Sequence, residues 1–202
     1  MRSITRDARG VTSIEFALLA LPLFTLIMGS IELGVEMFAK ARLEGVMREA
    51  ARMAVTGDQA ANGKDGAKID AYVTAQAPIV KGAKVDILKE SYDSFDQVRK
   101  PEKKDSDRTT APYCFEDVNA NMRWDENPSR SGLGGADDII NYKVTMRYPA
   151  LFPLVTSVVT GNSMVTLTSQ VTLRNEPFGG ATDQEVKTCC VSAAAGNPVT
   201  CS

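Results

Sequence analysis

The chain has 202 residues, 44% hydrophobic and 24% charged, with a formal net charge of −2 and no histidine. That length holds one folded domain plus an anchor, and the near-neutral balance gives no general affinity for nucleic acid. The missing histidine excludes Ser–His and Cys–His nucleophile pairs and every His-containing zinc site.

The first residues, Met1 to Gly10, are short, polar and basic, with Arg2, Arg6 and Arg9. From Phe16 to Ile31 there is no charged residue. A bilayer span needs roughly 20 apolar residues, so this run is short, and extending it back to Val11 includes Glu15. Arginines ahead of an apolar run place the N-terminus in the cytoplasm and the rest of the chain outside it. A secretory signal would carry small residues at a cleavage site just after the run. Gly29-Ser30-Ile31-Glu32 stands there and matches poorly. A buried helix of a soluble protein is the other reading; a retained anchor fits best. A carboxylate within a bilayer segment is costly unless paired or protonated. Glu15 therefore either marks the helix start at the headgroups or pairs with a cation inside an assembly.

The helical pattern continues past the apolar run. Val35, Ala39, Leu43, Val46, Ala50 and Met53 recur at steps of three or four, one apolar face. Glu36, Lys40, Glu44, Arg48 and Arg52 form the polar stripe, and Glu36–Lys40 and Glu44–Arg48 have favourable i,i+4 spacing. Gly57-Asp58 is the expected stop, giving a helix about 70 Å long with a kink expected at Pro22. Two helices broken at Gly34 are the alternative. Residues 67–77 read as a second helix ended by Pro78, and 83–89 as a strand. Residues 90–112 read as a polar loop, whose run Arg99 to Arg108 mixes acids with bases and is expected to be solvated. Ile140 to Tyr148 and Ser163 to Arg174 alternate as strands. Between them, 149–161 is apolar and flanked by proline, a short helix or loop near the membrane surface. Three strands and a long helix make an α+β layout: a transmembrane and then amphipathic N-terminal helix packed on a small antiparallel sheet. The tail after Phe178 is expected to be irregular and tied down by cysteines.

Cys114, Cys189, Cys190 and Cys201 form no C-x-x-C pair, and an even number fits disulfides in an oxidising compartment. Three pairings are open. The adjacent Cys189 and Cys190 are expected to reach different partners, because bridging neighbours strains the backbone. Free thiols in a cytosolic protein are the alternative.

Asp117, Asn119, Asn121 and Asp125 fall at positions 1, 3, 5 and 9 of an EF-hand-type loop, with the Arg123 carbonyl at position 7. Met122 replaces the turn glycine and Pro128 the bidentate glutamate. Asp137 or Asp138, across the Gly132–Gly135 turn, is the expected source of the missing carboxylate. Two readings stand: a structural calcium site, or a polar turn built by residues that favour turns anyway.

The stretch from Arg6 to Phe24 (RDARGVTSIEFALLALPLF) resembles the N-terminus of type IV pilin-like proteins, and is most similar to TadE-like pseudopilins of the tight-adherence (Tad/Flp) pilus system. Ala50 to Ala54 (AARMA) and Arg174 to Phe178 (RNEPF) are also TadE-like. The resemblance implies a prepilin peptidase that cuts after Gly10, making Val11 the first residue and Glu15 the fifth, followed by Phe16. The new α-amino group at Val11 would neutralise Glu15 of the same or a neighbouring subunit. It implies a leader over 1–10, an anchor and protruding helix over 11–57, an extracytoplasmic α+β domain over 58–178 and a cysteine-containing tail over 179–202. The expected function is that of a minor pilin or pseudopilin in assembling a Tad/Flp-type pilus for surface adhesion. Its expected place is the bacterial inner membrane, with its domain in the periplasm or at the cell surface in a pilus. The expected partners are other pilin or pseudopilin subunits, the prepilin peptidase and membrane lipid, not nucleic acid. An uncleaved, membrane-tethered periplasmic binding module is the alternative. A hydrolase built on Asp137 and Asp138 lacks any base or nucleophile pair, so no enzyme is expected.

Overall fold

A computed structural model describes residues 11–55, 66–108, 110–176, 186–193 and 199–202. The expected leader with Gly10, the helix stop at Gly57-Asp58 and the Pro177-Phe178 end of the family-like segment lie outside them.

The first element, α1 (Val11–Val55), is one 45-residue helix that continues through Pro22 and Gly34. No break at Gly34 divides it. The hydroxyls in its apolar half are satisfied locally: Thr25 donates to the Leu21 carbonyl at 2.8 Å and Ser30 to that of Leu26 at 2.7 Å. Hydroxyls bonded back to the helix present little polarity to an apolar surrounding. In the second half, Ala39, Leu43, Val46, Met47, Ala50 and Ala54 are buried, one stripe at helical spacing.

That stripe lies on a four-stranded antiparallel sheet of order β3–β1–β4–β5, built from β1 (Lys84–Tyr92), β3 (Arg130–Ser131), β4 (Ile139–Pro149) and β5 (Met164–Arg174). Ile140, Tyr142, Val144, Met146 and Tyr148 of β4 enter the same core as Leu43 and Met47. These are the alternate residues whose side chains share one face of a strand. A second helix, α2 (Ala67–Gln76), adds Ile69 and Val73 to this core. Asp70 fixes its position, accepting from Lys89 Nζ of β1 at 2.6 Å and from the Tyr142 hydroxyl of β4 at 2.9 Å. Gly66 leads into α2 with φ +74°, and a Cβ there would collide with Leu133. The α+β expectation holds. The apolar segment after β4 resolves as a short helix, α3 (Pro153–Thr160).

Where the sequence suggested three strands, the described residues form seven. The described parts of the tail are not irregular: β6 (Lys187–Val191) and β7 (Val199–Cys201) join β2 (Tyr113–Asp117) in a second antiparallel sheet of order β2–β6–β7. Its register puts Cys114 opposite Cys190 and Cys189 opposite Cys201, and these are the two disulfides. Neighbours on a strand point to opposite faces, so Cys189 and Cys190 reach different partners, as expected. Peptide mapping without reductant should recover Cys114–Cys190 and Cys189–Cys201; a Cys114–Cys189 peptide would contradict the register. Replacing Cys114 and Cys190 together by serine should cost about 2–5 kcal/mol, read as a lowered melting temperature of the detergent-solubilised chain.

Candidate functional site

Two regions carry the residues singled out from sequence: α1 with its neighbour α3, and the loop after β2. The first half of α1 is clothed in largely exposed apolar side chains. Phe16, Leu18, Leu19, Leu21 and Leu26 are each about 70% exposed. Among the described residues this is the one helix long and apolar enough to cross a membrane. A continuous apolar surface of that size on a water-soluble monomer would be an aggregation site, whereas an isolated helix satisfies its own backbone in lipid. Val11 opens the helix and Glu15 lies one turn on, on the same face by i,i+4 spacing; both are exposed, as is Phe16.

The boundary between exposed and packed halves is marked by a residue that sequence reading passed over. Glu32 is only 7% exposed. Its carboxylate accepts the backbone N–H of Phe152 at 2.9 Å and of Leu151 at 3.3 Å. These amides precede α3, where helix N–H groups lack intrahelical partners. Val155 of α3 lies against α1 at Gly29. Nearby, the Tyr148 hydroxyl is buried without a hydrogen-bond partner among the described residues. Burial first, then the charges of Glu36 and Glu32, push its pKa up to about 12, so it stays neutral at physiological pH. No sequence signal identifies Glu32 as special, since its partners lie far along the chain.

The loop after β2 brings Asp117, Asn119, Asn121, Arg123 and Asp125 together. Asp117, 2% exposed, accepts the amides of Asn121 at 3.1 Å and Met122 at 2.9 Å. Asn119 Oδ1 accepts the Asn121 amide, and Asn121 Oδ1 accepts the Arg123 amide. The side-chain amides of Asn119 and Asn121 both donate to Asp125. Met122 takes φ +61°, the conformation for which glycine was missing. Asp138 instead accepts the Gly135 amide and pairs with Arg130, and Asp137 pairs with Arg174 at 3.1 Å. Asp117 also lies 3.5 Å from Cys189 Sγ, but that sulfur is in a disulfide and offers no thiolate to a metal.

The charge-rich run before this loop is not wholly solvated, contrary to expectation. Glu102 is buried, and its two oxygens accept the amides of Val118 and Asp125, each at 2.9 Å. Burial raises its pKa, against the lowering effect of those two amides. Lys104 lies 3.6 Å from the Trp124 ring centroid, a cation–π contact, and the Trp124 indole donates to the Glu102 carbonyl at 2.9 Å. The run folds back as a brace for the loop.

Residues 10–52 match the family model described as TadE-like protein. No curated protein and no solved structure matches the chain. The match covers the exposed apolar half of α1 and most of its sheet-packing half. Over this segment the chain is similar to TadE-like proteins.

Replacing Glu32 by Ala leaves the amides of Leu151 and Phe152 without their charged acceptor. The expected cost is about 1–3 kcal/mol, with faster hydrogen exchange at both amides. Exchange unchanged from the wild type would show that α3 is held by its apolar contacts alone.

Proposed function

We propose that the chain is a minor pilin or pseudopilin that serves the assembly of a Tad/Flp-type pilus for surface adhesion. The observation that carries this reading is the division of α1. Its TadE-like segment starts as a bare apolar cylinder and ends as the core of a folded domain, the layout of a subunit that sits in a membrane and then packs with other helices. In this reading a prepilin peptidase cuts after Gly10 and frees the Val11 amine one turn from Glu15. The cation then offsets a carboxylate that is expensive to leave unpaired in an apolar assembly. Phe16 and the leucines beyond it supply the helix–helix surface for other pilin or pseudopilin subunits. The domain stands on the periplasmic side of the inner membrane. The role is structural, without catalysis.

The deciding measurement is the intact mass and N-terminal sequence of the protein from native membranes, with and without the prepilin peptidase. A chain that begins at Val11 only when the peptidase is present is the expected result, and Glu15→Ala should then abolish pili at unchanged membrane levels of the protein. A chain still beginning at Met1, in cells that process other prepilins, would replace this reading with an uncleaved, tethered binding module.

A structural calcium ion in the loop of 117–125 is a further part of the proposal. It would be held by Asp117, Asn119, Asn121, Asp125 and the Arg123 carbonyl, all hard oxygen donors. The turn that Asp117 builds by accepting the amides of the fifth and sixth positions supports it. Asp137 and Asp138 would join only by giving up their arginine partners. Calcium should raise the melting temperature and a chelator should lower it; no change with either would make the loop a self-bonded polar turn.

A further inference from the structure

The charge-free run Phe16 to Ile31 makes about 24 Å of helix, short of a hydrocarbon core of about 30 Å. On sequence alone Glu32 closes the span too early. The structure removes Glu32 from the surface: α3 covers it, and the Leu151 and Phe152 amides take its carboxylate. Beyond it Glu36 is partly buried, and Lys40 is the first charged side chain after Glu15 that α1 exposes. In between, Leu33, Met37 and Phe38 are each more than half exposed. From Phe16 to Ala39 the helix measures about 36 Å, enough to span.

The cover itself is apolar outside. Leu154, Val158 and Val159 are 84%, 86% and 77% exposed. α3 carries no charged residue between Pro153 and Thr160, and its serine and threonine hydroxyls are bonded to backbone carbonyls of the same segment. α3 sits against α1 at the level of Gly29 and Glu32, where Ile27, Ile31 and Leu33 of α1 are exposed.

We propose that α3 is a second membrane element, with Leu154, Val158 and Val159 seated among the acyl chains of the leaflet from which the domain emerges. There it screens Glu32 from lipid and extends the span of α1 to Phe38. The occupant of this face is lipid because the face lies beside the anchor's own lipid-facing surface and carries no charge to select a protein partner. A short apolar helix buried several ångströms into the headgroup boundary is a known mode of membrane contact. The inference rests on the anchor reading above and adds to it the depth at which the domain sits.

The test uses the full chain in phosphatidylcholine–phosphatidylglycerol vesicles. No described cysteine is free, so single introduced cysteines take an environment-sensitive fluorophore: Val158→Cys on α3, Leu23→Cys in the anchor and Lys100→Cys on the distal loop. The expected result is strong quenching of the Leu23 and Val158 labels by lipids with spin labels on their acyl chains, and none at Lys100. A quenched Leu23 label with Val158 as unquenched as Lys100 would overturn the inference and leave the anchor intact. A disulfide between Val158→Cys chains of two copies, with no quenching, would overturn it in favour of a protein neighbour. An unquenched Leu23 label would reject the anchor and the inference with it.

Discussion

One continuous helix is bare and apolar in its first half and packed into a domain in its second, and the rest of the fold follows from that. Beyond its first turn, and apart from the one bond lost at Pro22, the backbone of α1 is satisfied within the helix, so the chain can run from a bare apolar half into a protein core without a broken element. Its side chains change role, not its backbone. Before Gly29 the apolar residues go all round. After Val35 they narrow to a stripe, with Ala39, Ala50 and Ala54 small enough to bring the helix close to β5. The sheet needs the stripe as much as the helix does: without α1 and α2, the buried face of β4 from Ile140 to Tyr148 would lie open. Anchor and domain are mechanically one piece because they share an element.

Carboxylates, the part-buried Asp70 and the buried Glu32 and Glu102, do the joining where apolar contact alone leaves direction undefined. Asp70 ties α2 to two strands through Lys89 and Tyr142. Glu32 ties α3 to α1 through two amides, and Glu102 ties the brace before β2 to the loop after it. Each has its desolvation offset by at least two donors, the condition under which a buried acid is tolerable. These contacts fix where short elements sit, and short elements have little apolar area with which to fix themselves.

The legible parts of the sequence were those with many residues repeating one rule. The stripe from Val35 to Met53 and the alternation from Ile140 to Tyr148 are long enough for period to decide, and both elements stand close to the bounds read from them. β2, β6 and β7 are five, five and three residues long, too short to carry a period, and β2 finds its partner β6 more than seventy residues away. Partners on other elements hide the acids as well. Glu32 and Glu102 read as ordinary surface charges because the amides that bury them come from Leu151 and Phe152, and from Val118 and Asp125. The Asx-rich loop was visible because its partners are local, whereas Asp137 and Asp138, near in sequence, spend their charge on Arg174 and Arg130.

The second sheet shows why cysteines are needed at all. The helix-packed core draws none of its buried residues from β2, β6 or β7. What this sheet buries is little: Phe115, Val118, Asp117 and Cys189. Three short strands with so small an apolar face fall below what independent stability in water requires. Cross-links at the two places where strands lie opposite one another restrict the unfolded chain and supply what burial does not. Such bridges persist only where thiols are not kept reduced. The sheet that lacks a core of its own is thus the part of the fold that leans on its two disulfides, which fits the periplasmic placement proposed above.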